Sequence, residues 1–447
     1  MKGKPIIVVI GGASLTFGTK TLRDIINHPQ LDGSVFRLVD IDQEHLEVMT
    51  RLARRLADAV EHSVVIESTT DRREALGEAD YVLISVEVER YKLWRQDFSL
   101  PVSLGVRQVT GELGGPGGLF HSLRQIPLHL DIARDIENIC PEAMVMVESN
   151  PLNRICLAMR RYSRVGQILG LCHGVEIAQN FLGRVLGLDT EDVVATAAGI
   201  NHFTWILDLR LKATGGDLYP VLKEKLATCE ATFHPLSRKL FEVYGYFPSP
   251  GDSHIGEYIP YAWELIGLEG PPLRDRSQDV KLRWQYLDKL SHGQKIKAKD
   301  YLEKQQEKEE ELRLMEFFKP RRWVDTLAFP IMAAIQTNKM RRMPAVNMLN
   351  QGTIANLPAD VFVETPAIVD SSGVHPIQIG DLPRPLAAFC RRDIDQMELT
   401  VEAAVKGDRK LVLQAMLLDP VIDSVTVAER VLDEMMKAQA EYLPQFA

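Results

Sequence analysis

Between Pro5 and Ile10 the chain runs as one apolar, β-branched segment that stops at Gly11-Gly12-Ala13-Ser14. A segment with no polar face reads as a strand covered on both sides, the signature of a parallel strand in an α/β sheet. Leu15 to Asn27 then reads as a helix ending near Pro29. Val35–Val39 is a second strand, closed by Asp40, and Glu44 to Glu61 a long amphipathic helix. Tyr81–Val86, Met144–Val147, Ile168–Leu171 and the stretch before Asn201-His202 add further strands. Strands alternating with helices predict a doubly wound parallel sheet with right-handed crossovers.

A chain of 447 residues can bury a large core and should divide into two or three domains. Past residue ~205 the pattern becomes helix-rich, and Leu399 to Tyr442 reads as strongly helical with a break at Pro420. Glu303 to Glu316 reads as a solvated, charged helix face, and Leu268 to Asp300, with Pro271-Pro272, as a mobile flap. A net charge of −9 argues against a nucleic-acid partner, since phosphate contacts need a basic face. No apolar run approaches the ~20 residues a bilayer needs, and Ile6–Ile10 is too short for a signal peptide. No membrane association and a cytoplasmic location are therefore expected. Five scattered cysteines do not form a disulfide framework.

Five stretches carry chemistry. Gly11-Gly12-Ala13-Ser14 lies between a buried strand and a helix, where a phosphate is favoured. The full G-x-G-x-x-G spacing is not met, so the turn alone is a weak signal. Asp40, closing the second strand, strengthens it, because an acid there binds ribose hydroxyls and repels a 2′-phosphate. The strand pattern and this turn point to a Rossmann-like, NAD-binding domain over residues 1–200, as in lactate and malate dehydrogenases. Asn150 and Asn153 follow another strand and suit sugar or ribose hydroxyls, although Asn150 before Pro151 is also a good helix cap. Cys172-His173 and His202 follow two further strands; adjacent strand ends would bring Cys172 beside His202 as a pair for a divalent metal. Gly111 to Gly118 holds five glycines around Glu112, and by composition alone reads as a flexible surface loop. Gly251 to Tyr258 gathers three proton-transfer side chains, Asp252, His254 and Tyr258.

In this order, Gly11-Gly12-Ala13-Ser14, Gly115-Pro116-Gly117-Gly118, Asn150-Pro151-Leu152-Asn153, Cys172-His173-Gly174-Val175 and Gly199-Ile200-Asn201-His202 resemble the NAD- and divalent-metal-dependent enzymes of glycoside hydrolase family 4. Gly251-Asp252-Ser253-His254 and Asn347 to Pro358 extend the resemblance nearly end to end. It implies cleavage of a terminal α-glycoside by oxidation at C3, deprotonation at C2, elimination of the aglycone and addition of water. It implies NAD at Gly11, Gly12, Ala13, Ser14, Asp40, Ser85 and Asn150, and Mn²⁺ or another divalent metal at Cys172 and His202. Glu112, Asn150 and Asn153 would bind sugar, His173 would assist the leaving group, and Asp252, with Tyr258 second, would be the base. Residues 201–447 would then form an α+β domain, rich in helices, for substrate, metal and assembly as a homodimer or homotetramer. The signatures around Cys172 and His202 look most like the α-galacturonidase and α-glucuronidase branch, with Arg90, Arg95 or Arg107 to meet a uronate. A neutral α-galactoside or α-glucoside, and a lactate- or malate-type dehydrogenase, are the alternatives.

Overall fold

A computed structural model describes residues 4–60, 63–230, 232–270, 277–297, 311–318 and 326–447. Its parallel half is built from β1 (Ile6–Ile10), β2 (Val35–Val39), β3 (Val65–Thr69), β4 (Tyr81–Ile84), β5 (Met144–Val147) and β6 (Gln167–Gly170) in the order β3-β2-β1-β4-β5-β6. The sequence pattern misses β3, where Glu67, Ser68 and Thr69 give an edge strand with one wet face. Helices cover both faces of this half, as the apolar strands require. Helix Gln43–Ala57 shows how: Asp42 caps it by accepting the His45 N–H at 3.1 Å, and Leu46, Met49, Leu52, Ala53 and Leu56 recur at helical spacing on its buried face.

From Val193 onward the chain is rich in helices, as expected, and also adds six strands to the same sheet. These are β7 (Val193–Ile200), β8 (Phe203–Leu211), β9 (Phe247–Ser249), β10 (Arg341–Leu349), β11 (Phe362–Asp370) and β12 (Gly373–Pro376). Beyond β6 the order is β10-β11-β7-β8-β9, all antiparallel, with β12 on β11. The strand ends that carry Cys172 and His202 are therefore not neighbours, as the sequence suggested. The β10–β11 hairpin lies between them, and it meets each side at one residue pair, Asn347 with Gly170 and Glu364 with Gly199.

The C-terminal segment forms three helices, Arg384–Lys406, Arg409–Leu418 and Val425–Ala438, rather than one broken at Pro420. The first ends at Gly407, whose φ of 65° suits glycine, and residues 419–424, with Pro420, end the second. Val401, Val412, Met416 and Met435 share a core with Leu119, Leu123 and Ile126 of helix Gly115–Ile139, so the C-terminal helices pack on the half of the chain that forms the parallel sheet. Helix Ser277–Ser291, within the expected flap, instead packs on helix Gln43–Ala57 through a 2.8 Å Arg51–Asp288 ion pair and a His45–Trp284 ring stack. Pro271-Pro272 and most of the charged run Glu303 to Glu316 lie outside the described residues. No helix among the described residues is long and apolar enough to cross a membrane.

Candidate active site

The parallel strands bring the residues expected to hold a dinucleotide to one edge of the sheet. Gly11 has φ 93°, and a Cβ there would fall 2.1 Å from the Ser85 carbonyl oxygen, so only glycine lets β1 turn against the end of β4. The Gly11 and Gly12 amides both donate to the Val39 carbonyl at 2.9 Å. Asp40 accepts the Ala13 N–H at 3.0 Å, which places its carboxylate against the turn. Ser14 Oγ accepts the Phe17 N–H at 3.1 Å, and the helix begins at Gly18 rather than Leu15.

One strand further, β5 ends in Glu148-Ser149-Asn150. Glu148 is buried and neither of its carboxyl oxygens has a hydrogen-bond partner. Burial raises its pKa to about 8, with Lys20 opposing and Asp24 adding to the effect. Asn150 is not a helix cap: the helix runs Leu152–Tyr162 with Pro151 before it, and Asn150 Nδ2 points to Glu112 Oε1 at 3.4 Å. Asn153 Nδ2 donates to the Phe362 carbonyl at 3.2 Å and so ties a helix to β11.

The glycine-rich stretch is not a flexible surface loop. Residues 111–118 are all buried, and helix Gly115–Ile139 starts within them. A Cβ on Gly114 would lie 2.2 Å from the Glu257 carbonyl oxygen and one on Gly118 2.1 Å from the Leu113 carbonyl carbon, so these glycines serve close packing. Glu257 Oε1 accepts the N–H groups of Glu112 and Leu113 at 2.6 and 3.0 Å, fixing the loop from the other half of the chain. Burial, then the charge of Glu112, pushes the Glu257 carboxyl up to about 7. Glu112 itself accepts from Arg90 at 2.6 Å. Burial alone would raise its pKa, but the Arg90 guanidinium prevails and holds it near 2, a fixed negative charge. Arg90 also reaches Glu87 at 3.3 Å and lies over the Trp94 ring. His121 bridges Glu87 and the Glu112 carbonyl at 3.0 and 2.9 Å.

Cys172 and His202 meet despite the intervening hairpin: Sγ and Nε2 are 3.1 Å apart. His202 is 8 % exposed, has φ 61° in the two-residue turn between β7 and β8, and leaves Nδ1 without a partner. Burial pushes the Cys172 thiol up, opposed by the Gly174 N–H on its sulfur at 3.3 Å. The His254 ring lies 4.5 Å from that of His202, and burial lowers its pKa to about 4. No group of three or more His, Cys, Asp or Glu side chains among the described residues could hold a metal, so any ion at this pair would take its other ligands from substrate or water. His173 immediately precedes helix Gly174–Leu186.

The two candidate bases separate. Asp252 accepts the Leu236 and Ser237 N–H groups, each at 2.9 Å, and the Ser237 hydroxyl. Its carboxylate thus satisfies the start of helix Pro235–Tyr244. Tyr258 is buried against Phe203, and its hydroxyl donates to the Asn201 carbonyl at 3.3 Å, beside His202. Burial raises its pKa well above the ordinary value.

Sequence reasoning missed Glu87, His121, Glu257 and Glu364. Glu364, 1 % exposed on β11, accepts from Asn347 and Asn201 at 3.0 and 3.5 Å. Burial, then the neighbouring Cys172, raises its pKa to about 8. A carboxylate inside an apolar strand was its only sequence signal. Of the arginines considered for a uronate, Arg90 is paired as above, Arg107 lies 4.4 Å over Trp263, and Arg95 lines a cavity of about 990 Å³ with His45, Tyr91 and Trp284.

Comparison with known proteins covers nearly the whole chain. Residues 6–188 match the model for "Family 4 glycosyl hydrolase", and residues 197–422 the model for "Family 4 glycosyl hydrolase C-terminal domain". An alpha-glucosidase of Erwinia rhapontici is 32 % identical, over 98 % of both chains. An alpha-galactosidase of Bacillus subtilis is also 32 % identical, over 98 % of this chain and 99 % of its own. An alpha-galacturonidase of Thermoanaerobacter italicus is 28 % identical over 98 % and 97 %. Among solved structures, the putative glucosidase lplD of Bacillus subtilis superposes with a TM-score of 0.82 at 26 % identity, over 97 % and 99 % of the two chains. A 6-phospho-alpha-glucosidase from gut microorganisms, in complex with NAD and Mn²⁺, shares the fold with a TM-score of 0.79 at 20 % identity, over 99 % and 100 %.

Proposed function

This chain belongs to family 4 of the glycosyl hydrolases, and we propose that it hydrolyses terminal α-glycosides with NAD and a divalent metal as cofactors. The observation that carries this reading is the Cys172–His202 pair, 3.1 Å apart, in a neighbourhood with Glu112, Arg90 and Asn150. Cys172 Sγ and His202 Nε2, side by side, suit a divalent transition ion, and sugar and water oxygens would supply the oxygen ligands that Mn²⁺ favours. Gly11, Gly12, Ala13, Ser14, Asp40, Ser85 and Asn150 suit a dinucleotide at the ends of the parallel strands. When bound, NAD supplies a reversible hydride acceptor for C3 of the sugar, and the metal supplies Lewis acidity at its C2 and C3 oxygens.

The chain's own groups do the rest. Glu112, kept ionised by Arg90, accepts from sugar hydroxyls, and Asn150 donates to them. Tyr258 would act as the phenolate: its hydroxyl proton first passes to solvent, a loss that the charge of a bound dication would favour, and Oη then takes the C2 proton; we prefer it to Asp252, whose oxygens already hold a helix start. His173 Nε2 gives a proton to the departing aglycone oxygen. Burial of Glu112, Asn201 and His202 keeps bulk water from the reacting carbons.

For substrate we place a neutral α-glucoside or α-galactoside ahead of the uronide suggested by the sequence. Arg90 already faces the carboxylates of Glu87 and Glu112, so a uronate would enter a site whose cation is balanced. The alpha-glucosidase and alpha-galactosidase relatives are also nearer in sequence than the alpha-galacturonidase. The dehydrogenase alternative leaves Cys172 and His202 without a task.

The test is release of p-nitrophenol from its α-glucoside, α-galactoside, α-galacturonide and α-glucuronide, omitting NAD⁺, Mn²⁺ and thiol in turn. Release that requires NAD⁺ and Mn²⁺ without net NADH supports the reading, and the preferred sugar identifies the branch. No release, with NADH formed from 2-hydroxy acids, would overturn it.

A further inference from the structure

Glu364 sits in the seam of the sheet, where the hairpin meets both halves. Asn347 pairs with Gly170 on one side and Glu364 on the other, and Glu364 pairs in turn with Gly199. Gly170, Asn347, Glu364 and Gly199 thus form one row across four strands. Its ends lie two residues before Cys172 and three before His202. The ends must also be small: a Cβ on Gly170 would approach Asn347 Cβ to 2.9 Å, and one on Gly199 the Phe203 carbonyl oxygen to 2.5 Å.

The Glu364 carboxyl is enclosed, and the side-chain amides of Asn347 and Asn201 donate to it. Asn201 is held twice, since its carbonyl accepts the Tyr258 hydroxyl while its side chain grips Glu364. That double hold anchors the turn in which His202 adopts its left-handed conformation. Charge gives the second reason for an acid here. A dication on one thiolate and one neutral imidazole keeps a net positive charge in a buried place; it draws the proton from the Glu364 carboxyl, whose pKa burial and Cys172 raise to about 8 without it, and the resulting carboxylate cancels that charge.

Resting on the metal reading above, we propose that Glu364 is the positioning residue of the Cys172–His202 pair: it offsets the charge of the bound divalent cation and, through Asn201, fixes the turn that presents His202. It touches neither the sugar nor the dinucleotide.

The experiment uses the metal-stripped full chain and its Glu364→Gln variant, which retains an oxygen for the two amide donors. Mn²⁺ affinity is read from the electron paramagnetic resonance of free Mn²⁺, NADH affinity from fluorescence, and apo stability from the melting temperature. The expected result is a roughly 10–100-fold loss of Mn²⁺ affinity, with NADH affinity within about twofold of wild type and no fall in apo melting temperature. The thiolate-to-metal absorption of the Co²⁺ form should shift as well, reporting a changed ligand geometry at Cys172. Equal Mn²⁺ affinity in wild type and variant would overturn the role of Glu364 while leaving the metal site standing. A wild type that binds no Mn²⁺ would overturn the metal reading and this role with it. Parallel losses of melting temperature, NADH and Mn²⁺ affinity would make Glu364 a packing residue only. Should that variant fail to fold, Asn347→Ala keeps the carboxylate and loosens it; Mn²⁺ affinity should fall at least about threefold, and an unchanged value would refute the proposal.

Discussion

Replacing Glu148 with glutamine should shift stability in the variant's favour progressively as pH rises. The carboxyl is buried, lacks a partner on either oxygen, and has its pKa raised to about 8 from 4.5, chiefly by burial. Between those values the folded state keeps a proton that the unfolded state has released. Wild-type stability therefore falls as pH rises through that window, by about 1.4 kcal/mol per pH unit and about 5 kcal/mol in all. Below pH 4.5 both states carry the proton and the effect is absent; above pH 8 it is constant. Glutamine cannot ionise, so the variant lacks this slope. Its unpaired amide costs about 1–3 kcal/mol, but equally at every pH. At about 2 cal/mol/K of unfolding entropy per residue, the melting-temperature difference should widen by roughly 1.5 °C per pH unit. Differential scanning fluorimetry of both proteins from pH 5 to 8 reads it directly. Curves that stay parallel across that range would refute the reasoning, because they would mean that Glu148 ionises alike in both states.

Gly11→Ala forces a Cβ against the Ser85 carbonyl at positive φ, and should cost about 2–4 kcal/mol in thermal stability together with most NAD⁺ affinity. Asp40→Ala should weaken NADH binding roughly tenfold, read by fluorescence titration, and narrow the preference over NADPH. Asp252→Asn should lower the melting temperature, at a cost of about 1 kcal/mol, and keep most of kcat. Tyr258→Phe should do the reverse and abolish exchange of the C2 hydrogen with D2O, measured by NMR.

The strands β2 and β5 were legible to the residue because their apolar runs end abruptly in Asp40 and Glu148. Cys172 and His202 were legible as a pair, though for an incomplete reason. Each follows a strand, yet what brings them together is a hairpin made from residues some 140–190 positions further on, and local periodicity cannot report such pairing. Glycines around Glu112 looked like freedom in the sequence, whereas in the fold they are close contacts with Glu257 and Leu113. Asp252 looked like a base because its residue type is suited to proton transfer. Only the helix that begins at Pro235 shows where its oxygens are spent. Glu257 and Glu364 went unread because a lone acid in an apolar stretch does not say which backbone or side chain it will meet.

The hairpin in the seam also sets an order in time. As the chain is synthesised, β1 to β6 can pair among themselves once residue 170 has emerged, but the outer edge of β6 waits for Arg341–Leu349. At ~5–20 residues per second that delay is roughly 10–40 s. Throughout it the nascent sheet carries an open edge, and for most of it that edge lies next to a thiol whose partner histidine has been made but not yet delivered. Newborn chains are thus most exposed to mispairing and to oxidation of Cys172 in this interval, and the arrival of one β-hairpin closes both risks together.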